Sequence, residues 1–253
     1  EGLFPGDATL EYNDDEWSLG GELTPRDPVS FYHVSKVQGT FTVYEACKYW
    51  WLRSYDVMQG VVYGIYTPEM DVDPSLSTRF DIDEWWGTVI NRFVAQTVIG
   101  MPMTIFGSGN QMRGYITVAD AIQCVVRMIV NPPEPGQYDV VNQLTEVLSV
   151  RQIAETVARI GKKEFGLDAE VQRLENPRVE AEEHPYEIIH DKLRERFGFA
   201  SEQKFEDEVY YMFKRLTEPQ VKKNIEKIKD SLIPRTRWSG EQKDLRVIET
   251  YKP

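Results

Sequence analysis

The spacing of apolar positions changes several times along this chain, and each change predicts an element. In SFYHVSKVQGTFTVYEACKYWWLR, residues 30–53, Phe31, Val34, Phe41, Tyr44 and Ala46 recur at roughly three to four, the period of a helix face. RSYDVMQGVVYG then mixes β-branched residues with a closing Gly and reads as a buried strand and its turn. Residues 66–84 are polar and contain Pro, so a loop is expected. WWGTVINRFVAQTVIG (85–100) reads as an amphipathic helix stopped by Gly100. MTIFG (103–107) is a short strand, GSGNQ a loop, and YITV (115–118) a strand. ADAIQCVVRMIV (119–130) is a mostly apolar helix that Pro132 and Pro133 terminate. YDVVNQ (138–143) is a strand, and SVRQIAETVARIGKKEFG (149–166) a helix with Ser149 as its N-cap. VQRLENPR (171–178) gives a strand and loop, and the remainder to about residue 230 is helical and polar. Residues 1–28, rich in Gly, Pro and acids, read as an irregular excursion. Strands alternate with helices, so the fold class is α/β.

Charge and composition narrow the function. The formal net charge is −12, which disfavours nucleic-acid and anionic-membrane surfaces. The one basic stretch, Lys222 to Arg237, is interleaved with Glu226 and Asp230 and reads as a solvated face. No apolar run reaches the roughly 20 residues of a membrane span. Cys47 and Cys124 are far apart among apolar residues, as expected of buried thiols in a reducing, cytoplasmic setting. Three His do not assemble a zinc site.

The sharpest chemical signal is Tyr32-His33-Val34-Ser35-Lys36. Tyr and Lys four apart share one helix face. A phenol ionises near pH ~10 and is a poor base at neutrality. An ammonium one turn away favours the phenolate, and it can also donate to ribose hydroxyls. Such a pair suits general acid/base work beside a hydride acceptor. Arg113 precedes a strand and Arg178 lies in a loop; guanidinium forks on separate loops suit a diphosphate. Thr104-Ile105-Phe106 offers an edge strand and an aromatic face for a uracil, with core packing the competing reading for Phe106. A dinucleotide fold opens with strand, Gly-rich turn and helix. Here the Gly cluster Gly107-Ser108-Gly109 falls between short strands and lacks the third Gly.

FYHVSKVQ, DVMQGVVYG, WGTVINRF, TIFGSGNQMRGYITVAD, VVNQLTE and NPRVEAEEHPY together resemble the UDP-sulfoquinovose synthase family, from about residue 29 to about residue 200. That family lies in the extended short-chain dehydrogenase/reductase superfamily, beside nucleotide-sugar epimerases and dehydratases. The resemblance implies the C-terminal part of a Rossmann-type doubly wound NAD-binding fold plus a smaller α/β substrate-binding domain. Residues 1–64 and about 114–145 would belong to the first, about 65–113 and 146–253 to the second. The Gly-rich N-terminal half and a catalytic Thr are not in this sequence, so a preceding NAD-binding segment is an expected partner, and stable NAD binding is not expected without it.

The resemblance further implies NAD as a recycled cofactor and UDP-glucose and sulfite as substrates. The sugar would be oxidised at C4, lose water across C5 and C6, add sulfite at C6 and be reduced again. By position, Tyr32 is the acid/base and Lys36 its tuner and ribose ligand. His33 helps place sulfite or sugar, or is structural. Gln59 and Val62 line the nicotinamide and sugar. Thr88, Asn91 and Arg92 approach the UDP-sugar, and Thr104, Ile105 and Phe106 the uracil. Gln111, Arg113 and Arg178 contact the uridine diphosphate, and Glu180 the ribose. A 4-epimerase, a 4,6-dehydratase and a catalytically silent scaffold share these features. A homodimer or higher homo-oligomer is expected through the helix bearing Tyr32; Tyr49, Trp50 and Trp51 at its end would serve either core or interface.

Overall fold

The computed structural model describes residues 9–12, 15–18, 31–84, 86–176, 188–201, 203–233 and 245–253. In chain order the elements are β1 (Thr9–Tyr12), β2 (Asp15–Ser18), α1 (Phe31–Trp50), β3 (Ser54–Gln59), β4 (Val61–Tyr63) and α2 (Pro68–Val72). Next come α3 (Val89–Val98), β5 (Met103–Phe106), β6 (Met112–Thr117), α4 (Val118–Val130), β7 (Tyr138–Gln143) and β8 (Glu146–Ser149). The last are α5 (Val150–Phe165), β9 (Val171–Leu174), α6 (Asp191–Phe197), α7 (Phe205–Leu216), α8 (Pro219–Lys227) and β10 (Val247–Tyr251). Alternation and the parallel pairs β3–β7, β4–β6 and β5–β9 make the class α/β.

The chain forms two compact units. One takes the described residues of 1–60, 121–144 and 187–200, the other those of 61–120, 145–186 and 201–253. This division differs from the sequence-based one chiefly at residues 187–200, and the reason lies in α6. Lys192 Nζ donates to Asp139 Oδ1 at 2.8 Å and to the Val140 carbonyl at 2.9 Å, and Arg196 also pairs with Asp139. Arg127 donates to the Phe197 carbonyl. These bonds tie α6 to β7 and α4.

In the first unit, β3 and β7 run in parallel register from Ser54↔Tyr138 to Gln59↔Gln143. Cys47 of α1 packs on Tyr138 and Val140, with Tyr44 edge-on to Tyr138. Asp56 Oδ2 accepts from Thr40 Oγ1 at 2.6 Å and from Tyr138 Oη at 2.5 Å, which locks α1 to both strands. Only Thr40 and Cys47 of α1 are buried. Of the residues at helical spacing, Val34, Tyr44 and Ala46 are half-buried while Phe31 and Phe41 are exposed, so only part of that face meets the core; Tyr49, Trp50 and Trp51 are exposed as well.

The second unit holds the larger core, where α3, α5 and α7 pack on one another through Ile90, Phe93, Ile153, Val157, Val209 and Phe213. Helix α3 is not amphipathic: every residue from Ile90 to Val98 is buried. Its polar side chains are used internally, as Gln96 Nε2 donates to Thr104 Oγ1 and to the Leu232 carbonyl. Ser149 and Gln152 form a complete capping box on α5, and Gly166 closes that helix in the left-handed region. Four strands escaped the sequence reading, and α2 falls within the loop expected at residues 66–84. β1 and β2 form an antiparallel hairpin where an irregular segment was expected, β8 adds to β6, and β10 pairs with β9.

Candidate active site

Helix α1 carries Tyr32, His33 and Lys36. Tyr32 is 58% exposed, and Lys36 Nζ lies 5.1 Å from the centre of its ring. The shared face predicted by the four-residue spacing is therefore present, with the phenol open to a ligand. His33 sits edge-on to Tyr32, their ring centres 5.6 Å apart. Gln59 ends β3 and is exposed; its Nε2 donates to Gln143 Oε1 at 2.6 Å. These residues belong to the first unit.

The remaining described candidates lie in the second unit. Val62 is half-buried on β4. Asn91 is buried, and its Oδ1 accepts from the Gly64 amide at 3.0 Å, so this oxygen holds the turn after β4. Arg92 is buried on the same helix. Thr104 is engaged with Gln96 through both its hydroxyl and its amide. Ile105 is 1% exposed and packs in the core, so any ligand it meets must be met through its backbone. β5, which carries Thr104, Ile105 and Phe106, stands at the edge of the sheet ordered β10-β9-β5. Gln111 Nε2 donates to the Phe106 carbonyl, and Arg113 donates to the Met112 carbonyl. Within this set, Thr88 Oγ1 and Gln111 Oε1 are polar atoms buried with no hydrogen-bond partner among the described residues. Burying such groups unpaired is costly, and a polar ligand would relieve that cost. Arg178 and Glu180 lie outside the described residues.

Sequence reasoning missed a buried acidic cluster in this unit. Glu208, in the first turn of α7, accepts through Oε1 from the Ile65 amide at 2.6 Å and the Tyr66 amide at 3.1 Å. Glu146 accepts from the Tyr63 hydroxyl and from the Phe205 amide that opens α7. Asp120 accepts from Ser201 at 2.6 Å. Burial pushes the Glu208 and Glu146 carboxyls above the usual range, against the backbone bonds that pull them down. The Tyr63 phenol is pushed up by burial and then by these carboxylates. The only sequence signal was charge in a helix whose period placed Glu208 beside Val209 and Met212. Among the described residues no group of His, Cys, Asp and Glu could hold a metal ion, and no helix is long and apolar enough to cross a membrane.

The α/β order, with parallel strand pairs and a helix bearing Tyr32 and Lys36, points to a class that comparison with known proteins identifies. Residues 8–142 match the NAD dependent epimerase/dehydratase family, and the chain belongs to it. It is 40% identical over 225 residues to UDP-sulfoquinovose synthase of Sulfolobus acidocaldarius, covering 89% of this chain and 56% of that protein. It is 46% identical over 171 residues to the chloroplastic UDP-sulfoquinovose synthase of Spinacia oleracea, covering 68% of this chain and 35% of that one. The chain thus spans about half or less of the length of these relatives. Among solved structures, UDP-glucose 4-epimerase of Thermus thermophilus, in complex with NAD, superposes with a TM-score of 0.61 at 20% identity. That match covers 78% of this chain and 56% of the epimerase, and it shows the shared fold.

Proposed function

We propose that this chain supplies the acid/base and sugar-nucleotide side of an enzyme that converts UDP-glucose and sulfite to UDP-sulfoquinovose and water. The 40% identity to an archaeal UDP-sulfoquinovose synthase across 89% of the chain is the observation that carries this reading. The exposed Tyr32 hydroxyl, the Lys36 ammonium and the Gln59 amide fit the ribose and nicotinamide of NAD, and Val62 is assigned to the same ligand. NAD, when bound, supplies hydride transfer to and from the sugar.

The residues of this chain do the rest. Tyr32 Oη takes the proton of the sugar C4 hydroxyl and later returns it. Lys36, on the same helix face as Tyr32, orients the ribose. The carbonyl formed at C4 acidifies C5–H, so water leaves across C5 and C6; sulfite sulfur then bonds to C6, and C5 regains a proton. His33, next to Tyr32, is suited to place sulfite. Thr88 and Gln111 supply buried polar atoms for the sugar nucleotide, with Asn91, Arg92 and the β5 edge assigned to the same ligand. Arg113, with Arg178 and Glu180, would hold the diphosphate and ribose. Exposed Tyr49, Trp50 and Trp51 support association of two copies through α1.

The test is sulfite-dependent product formation by the whole enzyme. UDP-sulfoquinovose should appear only with sulfite, and Tyr32→Phe should lower turnover at least ~100-fold, the usual loss on removing a general acid/base. UDP-galactose formed irrespective of sulfite would make the protein a 4-epimerase. Turnover unchanged in Tyr32→Phe would remove the assigned chemistry.

A further inference from the structure

Gln143 ends β7 fully buried, directly across the parallel register from Gln59. Its Nε2 donates to the Ala121 carbonyl at 3.0 Å, and its Oε1 accepts from Gln59 Nε2 at 2.6 Å. The direction of this relay is fixed by elementary chemistry. A backbone carbonyl can only accept, so the nitrogen end of Gln143 must face Ala121. Its oxygen is then the end that meets Gln59, and Gln59 can answer only with nitrogen. This pair occupies one N–H of Gln59 and leaves its carbonyl oxygen untouched, on a residue exposed at the strand end.

We propose that Gln143 is a positioning residue, which presents Gln59 to the bound ligand as a hydrogen-bond acceptor. The ligand group taken by that oxygen is a donor: a sugar hydroxyl or the carboxamide N–H of a nicotinamide. An acceptor at that point of the ligand would meet the Gln59 oxygen and be rejected. This rests on the reading that Gln59 faces the ligand, and it adds the polarity of that contact and the buried residue that sets it.

Gln143→Met keeps the volume and removes the relay. In side-chain amide NMR, the Gln59 NH₂ pair should show one strongly downfield proton, and this should vanish in Gln143→Met. Ligand binding is then measured by calorimetry on the whole enzyme with UDP-glucose and with NAD. Each of Gln143→Met and Gln59→Met should weaken binding of one ligand about fivefold, the scale of one neutral hydrogen bond. The double variant should bind no worse than Gln59→Met alone, because Gln143 acts through Gln59. Gln143→Glu still accepts from Gln59, so it should restore affinity even where it lowers stability.

The donor is identified with analogues. A sugar-hydroxyl donor makes the Gln59→Met penalty disappear with a deoxyfluoro UDP-sugar. A cofactor donor makes it disappear with the acetylpyridine analogue of NAD. Multiplying losses in the double variant, a penalty that survives both analogues, or an unshifted Gln59 amide in the wild type would each overturn the proposal. Failure of the underlying reading looks different: the NMR shift stands, but neither ligand's affinity responds to Gln59→Met.

Discussion

Glu208 offers the sharpest test of how the second unit is held together. Its carboxylate is fully buried, and one oxygen carries two backbone amides, Ile65 and Tyr66. The other oxygen has no partner among the described residues. Among the described residues, the charges that act on it and on the neighbouring Tyr63 are those of Asp120 and Glu146, and neither is a cation. Its pKa is raised, so the native state holds this proton to higher pH than the unfolded chain does. Between the ordinary carboxylate pKa and the raised native one, stability must fall as pH rises. Glu208→Ala strips two buried amides of their acceptor. At pH 4, where the carboxyl is protonated in the native state, the cost should be about 2–4 kcal/mol, from roughly 1–3 per orphaned group less partial relaxation. At pH 8 the wild type has lost the stability that falls away as pH rises above the ordinary carboxylate pKa, so the cost should be smaller. Glu208→Gln keeps an oxygen for the two amides and cannot ionise, so its stability relative to wild type should improve from pH 4 to pH 8. Urea denaturation followed by tryptophan fluorescence across that range gives both differences, and the other carboxylates cancel in them. A cost that is flat with pH, or that grows as pH rises, refutes the argument.

Gly64 lies at φ +96°, and a Cβ there would sit 2.7 Å from Glu208 Cγ and Cδ. Gly64→Ala should cost at least about 2 kcal/mol, from strain of the order expected at a left-handed position plus the clash; pairing it with Glu208→Ala should recover part of the loss in denaturation curves. Ser149→Ala removes the α5 cap and should cost about 1 kcal/mol, read as a lower thermal midpoint. Asp139→Ala leaves the Lys192 and Arg196 heads without their shared carboxylate and should cost about 2–4 kcal/mol, between the values for exposed and buried pairs. Faster hydrogen exchange confined to α6 and its contacts would locate that loss.

What the sequence showed clearly was local. The strand YDVVNQ was placed at its observed residues because it combines β-branched residues with a bounding Pro-Gly turn. The Ser149 cap was legible because Gln152 follows at the capping-box interval. Pairing between distant residues left no such mark. β10 meets β9 across more than 70 residues, as in Glu249↔Arg173, and β8 is four residues bonded to β6. The β1–β2 hairpin lies in an acidic stretch, and backbone ladders need no apolar content to form.

The same distinction explains the candidate site. Tyr32 and Lys36 could be paired from sequence because one helical turn brings them together in any helix. Gln143 and Glu208 could not, because each acts on a residue more than 80 positions away, and each looks ordinary in its own segment. Asn91 shows how both levels meet in one side chain. The resemblance places it near a sugar nucleotide, while its oxygen holds the Gly64 amide. Gly64 in turn turns the chain directly after β4, the strand of Val62, and lies against Glu208. Three consecutive amides after β4 thus end on two side chains from α3 and α7. Loosening either helix would move the strand end that carries Val62. The acidic cluster therefore belongs to the architecture of the site even though none of its members need touch a ligand.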